Sequence, residues 1–335
     1  MADVFAYLEG FGVSGGSPNK STIIVTAPTG STVTCKMGPT TKTATEKNGV
    51  WKFGGLDLGT WTITSTKGGD SATQDVAITR LTIEYVTIVY RITPEFTYTG
   101  NYAIVDDSGK NISDFASWKN NWRIRFLTSG IFTVTKLNGW NGQLDVFLVG
   151  GGGGGVSSSG PYGSSGGGGG YTSVVKNHTV SVNTAYNISI GAGGSASNKG
   201  GATKAFGITA NGGTTGNGNT GGAGGSGGGG MGANSGGSNG ANGGSGGAWN
   251  TTGGAGQQTT TREFGESSGT LYSGGGGGGG NVAYPGYGTG GAGGGANAGK
   301  SAKANTGGGG GGHREDVKLT AGSGGSGICI IRNKR

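Results

Sequence analysis

The sequence predicts a mostly β chain built from two unlike halves. Short strands form a sandwich and a small β-layer, and a bundle of extended glycine helices closed by a terminal strand follows. Three observations predict this. Of the 86 glycines in 335 residues, 17 fall in residues 1–149 and 69 in residues 150–335, against a usual share of about 7%. Up to Val149, alternating apolar and polar segments are separated by turn pairs such as Asn48-Gly49. Beyond it, uninterrupted glycine runs recur, and the chain ends in Ile328-Cys329-Ile330-Ile331.

Residues 1–16 read as an N-terminal arm ending in Ser14-Gly15-Gly16. Strands are expected at Thr22–Thr26, Thr32–Lys36, Val50–Phe53, Gly59–Ser65 and Gln74–Ile78. A turn every ~8–12 residues points to an immunoglobulin-like sandwich, placed over residues 17–92. A β-layer over residues 93–149 follows, with strands at Phe96–Thr99, Tyr102–Val105, Trp122–Leu127, Ile131–Val134 and Leu144–Val149. The last of these runs without a break into Gly150–Gly155, and further strands are expected at Tyr171–Val175, Tyr186–Ile190 and Gly327–Arg332.

The glycine half, residues 150–335, carries tracts at 150–155, 166–170, 227–230, 274–280 and 307–312. Collagen is excluded, because it requires glycine at every third position with abundant proline and the chain has six prolines. A flexible linker is the plain alternative, since ordering a glycine costs the most backbone entropy, but a linker needs no strand closing its far end. The remaining reading is a sheaf of threefold extended helices. Such a helix makes no internal hydrogen bonds, so every N–H and C=O points outward and can pair with a neighbour only where no Cβ intervenes.

Charge and cysteine content narrow the function. The formal net charge is +8, with the basic residues scattered singly, unlike the clustered face of a nucleic-acid binder. Cys35 and Cys329 lie in different halves with no metal-ligand spacing, so two buried or semi-buried free thiols are expected. The first residues, Met1 to Glu9, lack the basic and apolar regions of a signal peptide, and no segment has the length of a membrane span. Synthesis in a host cytoplasm is the expectation.

Several motifs are chance matches. Gly294–Ser301 fits the phosphate-loop pattern but has neither the strand before it nor the helix after it that phosphate binding needs. Asp106–Asn111 lacks the closing glutamate of a calcium loop, and the four glycosylation sequons are read as idle. Glu263 and Glu266 are expected to be solvated loop charges around Arg262, and His313–Asp316 a polar turn after the last tract. No catalytic, cofactor or metal residues are assigned, and the chain is not read as an enzyme. The aromatic residues between tracts suit receptor contact, since they bury large rigid area at low entropy cost; Tyr272 is read as a lid on the glycine core instead. The receptor-contact candidates are Tyr162, Trp249, Arg262, Phe264, Tyr284 and Tyr287.

The runs Leu144–Gly155, Gly166–Val175, Ser268–Gly280, Gly307–Asp316 and Ala321–Arg332 resemble the glycine-rich domain of phage and prophage structural proteins. The lead-in Phe96–Val134 is similar to the β-layer before that domain, and residues 17–90 resemble PEGA-like or carboxypeptidase-regulatory-like modules. The resemblance implies a polyglycine-II core whose loops contact a host-surface glycan or protein. It also implies an N-terminal region that docks on other virion proteins, and a homo-oligomer, with a trimer as first expectation. The implied role is a tail fibre or receptor-binding adhesin on a virion surface, with no nucleic-acid partner and no membrane insertion. A head fibre or capsid decoration protein is the alternative within that class, a non-viral bacterial surface binding protein the alternative outside it, and a depolymerase the third hypothesis.

Overall fold

The computed structural model describes residues 20–67, 70–88, 94–106, 109–111, 122–137, 140–158, 163–231, 261–280, 288–315 and 317–333. The chain divides into two compact units, residues 1–93 with 138–140 and residues 94–137 with 141–335. Among the described residues there is no α-helix; the regular structure is strand, apart from a 3-10 turn at Glu263–Gly265.

Among its described residues the first unit holds seven strands: β1 (Ser21–Thr26), β2 (Thr32–Met37), β3 (Thr40–Thr43), β4 (Val50–Leu56), β5 (Gly59–Lys67), β6 (Asp70–Ile78) and β7 (Ile83–Thr87). They form two sheets, ordered β4-β1-β7 and β3-β2-β5-β6. Alternation decides what lies between them. Ile23, Val25, Trp51, Phe53 and Val86 of one sheet share a buried cluster with Val33, Cys35, Trp61, Ile63 and Ile78 of the other. Each such side chain contributes about 1.5–3 kcal/mol of burial. The expected Asn-Gly turn is present, with φ of 50° at Asn48 and 77° at Gly49, the left-handed pair a two-residue hairpin needs. A Cβ on Gly49 would lie 2.9 Å from the Ala27 carbonyl oxygen.

The second unit adds β8 (Glu95–Tyr98), β9 (Tyr102–Val105), β10 (Arg123–Phe126), β11 (Gly130–Lys136), β12 (Gln143–Val149), β13 (Thr172–Thr179), β14 (Ala185–Ile188), β15 (Thr203–Ala205), β16 (Ile208–Ala210) and β17 (Ile328–Asn333). Its sheets are ordered β13-β12-β17-β10-β9 and β14-β11-β8, with β15-β16 a separate hairpin. The C-terminal strand β17 therefore lies in the middle of the larger sheet, antiparallel to both β12 and β10. Both faces of β12 and β17 are covered over their apolar runs, Val146–Val149 and Ile328–Ile331. The face with Ile124, Phe126, Val146 and Ile331 packs toward the smaller sheet, where Phe126 and Phe132 meet edge to face at 5.3 Å. The other face carries Phe147, Val149, Ile328 and Ile330, which bury with Phe264 and Tyr272.

Candidate functional site

Between β12 and β17 the glycine segments hydrogen-bond to one another with a period of three. The N–H of Gly150 donates to Tyr171, that of Gly153 to Gly168 and that of Val156 to Ser165. Gly151 and Gly154 donate to Gly201 and Asn198, and Gly152 and Gly155 to Gly325 and Gly322, with donor–acceptor distances of 2.8–3.0 Å over all seven. Each set climbs one segment by three residues while descending its partner by three, so three antiparallel neighbours take these N–H groups. Three further segments fill the spaces between. A Cβ on Gly150 or Gly153 would fall on Asn211 or Thr214, one on Gly151 or Gly154 on Ala192 or Ser195, and one on Gly152 or Gly155 on Gly308 or Gly311. In every case the atom struck is a backbone carbonyl oxygen, and these neighbours run parallel.

The same pattern surrounds the second tract. Gly166 and Gly169 donate to Gly229 and Ser226, Gly167 and Gly170 to Gly310 and Gly307, and Gly168 and Tyr171 to Thr214 and Asn211. These glycines are buried, and a buried backbone group without a partner is costly, so side chains are excluded here by hydrogen bonding as much as by space. The five tracts are not the whole assembly. Mixed segments such as 191–196, 198–201, 211–215 and 322–327 take part on its periphery, with Ala192, Ser195 and Asn198 among their residues.

The assembly has two different ends. At one, Gly150, Gly170 and Gly327 continue from or into strands β12, β13 and β17. At the other, turns gather. The Val156 N–H donates to Ser165, Ser165 to Gly218, Met231 to Asn219, Gly279 to Ser164, Gly288 to Gly278 and Glu315 to Gly280. His313 Nε2 lies 3.1 Å from Glu315 Oε2, and the Arg314–Leu319 bridge closes a turn there, where the polar turn after the last tract was expected. Val317 is exposed at this end. Ser158, Gly163, Met231, Gly280 and Gly288 thus bring both borders of segments 159–162 and 281–287, and the first border of segment 232–260, to this end. The candidates Tyr162, Trp249, Tyr284 and Tyr287 belong to those segments and lie outside the described residues.

The other two candidates lie at the strand end, where the chain from Thr261 to Tyr272 folds over the larger sheet. Arg262 is half-buried, and its Nη1 donates to the Gly269 carbonyl at 2.9 Å. Phe264 is 1% exposed, so its ring meets the core and not solvent. It packs against Phe147, with the guanidinium of Arg332 4.1 Å and that of Arg123 5.6 Å from its centroid. Its φ is 56°, a left-handed backbone that a bulky residue adopts only where its surroundings impose it.

The expectation of solvated charges at Glu263 and Glu266 is corrected. The Glu263 side chain is 0% exposed and pairs with Arg123 Nη1 at 2.6 Å and Arg125 Nη2 at 3.3 Å. Arg332 joins Asp145 at 3.1 Å and Glu266 at 2.7 Å. The cause is strand periodicity: Arg123 and Arg125 of β10 lie on one face, Arg123 is opposite Arg332 and Arg332 opposite Asp145. A cationic row at that end of the face requires a buried anion above it, and Glu263 supplies one. The alternation in Arg123-Ile124-Arg125-Phe126 was the sequence signal for the row. Burial, and then the neighbouring Glu263 carboxylate, push the Tyr272 hydroxyl well above the usual tyrosine range.

Gly294–Ser301 contains a turn closed by Lys300 N–H to Asn297 carbonyl, with neither strand nor helix beside it. The Gly109 N–H donates to the Asp106 carbonyl at 3.0 Å, closing a turn. Among the described residues no cluster of three or more His, Cys, Asp or Glu is arranged to hold a metal ion, and no helix is long and apolar enough to cross a membrane. Cys35 and Cys329 are free and buried, as expected.

No curated protein matches the chain. A solved structure, that of a DUF3823 family protein from Bacteroides ovatus ATCC 8483, is similar at 14% sequence identity, covering 50% of this chain and 78% of that one with a TM-score of 0.19. A family model described as a glycine-rich domain matches residues 127–334, from just after β10 to just past the closing strand β17, and the chain belongs to that family.

Proposed function

We propose that the glycine segments are polyglycine-II helices packed side by side and that the chain is a bacteriophage virion structural protein. In this reading it is a tail fibre or receptor-binding adhesin that presents loops from one end of a glycine core to the host surface. The observation that carries the reading is the period-three hydrogen bonding around Gly150–Gly155, in which successive N–H groups go to three different segments. A helix of three residues per turn with no internal hydrogen bonds gives that pattern, whereas a pleated strand alternates with a period of two. A core so bonded holds its turns on a fixed frame, and rigid elements place contact residues more accurately than flexible ones. The first unit, an immunoglobulin-like module of PEGA type, docks on other virion proteins or spaces the glycine domain from them. The assembly is a homo-oligomer, a trimer by resemblance, and the receptor is a surface glycan or protein.

The test is electron microscopy of purified particles labelled with antibody against residues 20–88. Label at the tail tip is the expected result. Label on the head assigns the chain to capsid decoration, and particles without label overturn the virion reading.

A further inference from the structure

One flank of the glycine core is a straight row of three segments. Segments 192–195 and 322–325 are adjacent members of the ring around Gly150–Gly155, since Gly324 N–H donates to Gly194 and Gly327 N–H to Gly191, each at 2.8 Å. Segment 300–303 packs outside that ring. It meets 322–325 through Ala302 N–H to the Ser323 carbonyl, and 307–312 through Gly311 N–H to the Lys300 carbonyl. A rod seated in the notch between two ring members lies in line with the member before them, so 192–195, 322–325 and 300–303 form one row. Segment 198–201 borders the row, where Gly201 N–H donates to the Ala192 carbonyl at 2.8 Å.

Side chains leave this flank at every third residue. Ala192 and Ser195 are exposed while Gly191 and Gly194 are buried, and Lys300 and Lys303 are exposed above the buried Gly322 and Gly325. A Cβ on Gly322 would fall on the Lys300 carbonyl oxygen and one on Gly325 on that of Lys303. The two lysines are therefore one turn apart, about 9 Å at the rise of a threefold helix. Ser323 and Ser326 are half-buried beside them, and Ser197, Asn198 and Lys199 are exposed on the bordering turn. The sequence supplies these segments with no acid to match the lysines. No Asp or Glu occurs between Asp145 and Glu263, between Glu266 and Glu315, or after Asp316. Glu263 and Glu266 are taken by arginines at the sheet, and Glu315 lies beside His313; Asp316 is outside the described residues.

We infer that this flank binds an acidic polysaccharide. Lysine ammonium groups are compact, hydrated point charges that draw a polyanion without fixing one geometry, and the serine and asparagine side chains between them suit sugar hydroxyls. A straight row of small residues accepts an extended chain lying along it or across it. Charge density decides between polyanions. Duplex nucleic acid carries one charge per ~1.7 Å of its axis, far denser than lysines about 9 Å apart, whereas an acidic polysaccharide carries its charges sparsely. The inference narrows the receptor class of the proposed function; it rests on the threefold-helix reading and not on attachment to a virion.

Binding of the full chain to fluorescently labelled polygalacturonate, followed by anisotropy, tests this, with labelled dextran as the neutral polymer. Polygalacturonate is expected to bind at about 50 mM salt and to weaken at about 200 mM, and dextran not to bind. The combined variant Lys199→Gln, Lys300→Gln and Lys303→Gln is expected to weaken binding at least about tenfold. Lys36→Gln, Lys52→Gln and Lys110→Gln together remove the same charge from other exposed positions and are expected to weaken it less than about threefold. A thermal midpoint within about 2 °C of wild type separates lost binding from lost folding, and the single variants Lys300→Gln and Lys303→Gln carry the test should the combined one melt lower. Absence of binding overturns the inference. Equal loss in the two combined variants, or duplex DNA bound as tightly as polygalacturonate, does so as well. Slow exchange at the glycine amides reports the helices separately, so their failure is distinguished from failure of the flank.

Discussion

Replacing Gly152 by alanine tests whether side chains are excluded from the glycine core by its bonding. The Gly152 N–H donates to Gly325 at 2.9 Å and its carbonyl accepts from Gly194 at 2.9 Å. A Cβ built there falls on the Gly308 carbonyl oxygen, a backbone atom that no rotamer change can move. The 307–312 segment must withdraw, which strains the bonds from Gly310 to Gly153 and from Gly325 to Gly308. Overpacking costs about 1–3 kcal/mol, and each buried backbone group left unpaired about 1–3 kcal/mol more. Restricting the unfolded chain returns only about 0.4–1 kcal/mol. The net loss is on the order of 3–5 kcal/mol, or a fall in Tm on the order of 10 °C for a unit of this size. Gly201→Ala is the matched control, because the atom nearest its Cβ, Ala192 N, is 3.1 Å away and a small shift accommodates it. Scanning calorimetry of both variants decides. A Gly152→Ala transition within about 2 °C of wild type, or no lower than that of Gly201→Ala, would refute the exclusion argument.

Glu263→Gln removes the anion shared by the buried Arg123 and half-buried Arg125 guanidiniums and is expected to cost about 3–5 kcal/mol in urea unfolding. Glu266→Gln is expected to cost under about 1 kcal/mol, since the carboxylate is partly exposed and Arg332 keeps Asp145. Burial pushes the Cys35 thiol up to about 11 and the Cys329 thiol higher still, so at pH 8 a thiol reagent should modify neither in the native protein and both in guanidinium. Burial lowers the His178 pKa from 6.5, which favours the neutral ring in the folded state. Its contribution to stability is therefore intact above pH 6.5 and is lost as pH falls below it, because the unfolded chain then binds the extra proton. His178→Phe, which keeps an aromatic ring beside Phe206, should flatten that part of the stability profile.

The strands were legible where alternation is local and the turns carry glycine or asparagine. Thirteen of the seventeen strands of the described chain overlap segments marked from pattern alone, with boundaries shifted by a residue or a few. Strand β3, Thr40–Thr43, has no apolar member to alternate, and β15 and β16 are three residues each around Phe206-Gly207, too short for a period to register. The residues of β7 were not placed either, because Ile83-Glu84-Tyr85-Val86-Thr87 leaves two large apolar side chains in solvent, against the pattern of a half-buried strand. The buried charges were the larger miss. Glu263 meets Arg123 across 140 residues of sequence, and nothing near Glu263 distinguishes it from a solvated loop acid. Only the strand partner, with two arginines at alternate positions, carried a mark of what it needed.

The glycine core is tied to the sheet more closely than its composition suggests, because the order of neighbours in the sheet continues into it. In the sheet β12 lies between β13 and β17, with Val149 opposite Thr172 and Ile328. Past Gly150 the same three lines of chain stay adjacent: Gly153 donates to Gly168 on one side and Gly152 to Gly325 on the other, now at every third residue instead of every second. The strands thus set the register in which the first glycine segments meet, which side-chain-free tracts cannot do for themselves, since any slip by three residues leaves an equivalent set of bonds. Register in a chain without side chains is weakly specified, so the sheet must hold it. Ile330→Ala, a fully buried site opposite Phe147 on β12, should cost about 2–5 kcal/mol and raise exchange at the β17 amides. If the sheet is the template, the amides of Gly151–Gly155 rise by the same factor, as one cooperative unit. Glycine amides that stay protected while β17 opens would mean that the core holds its own register and that the strands are only its attachment.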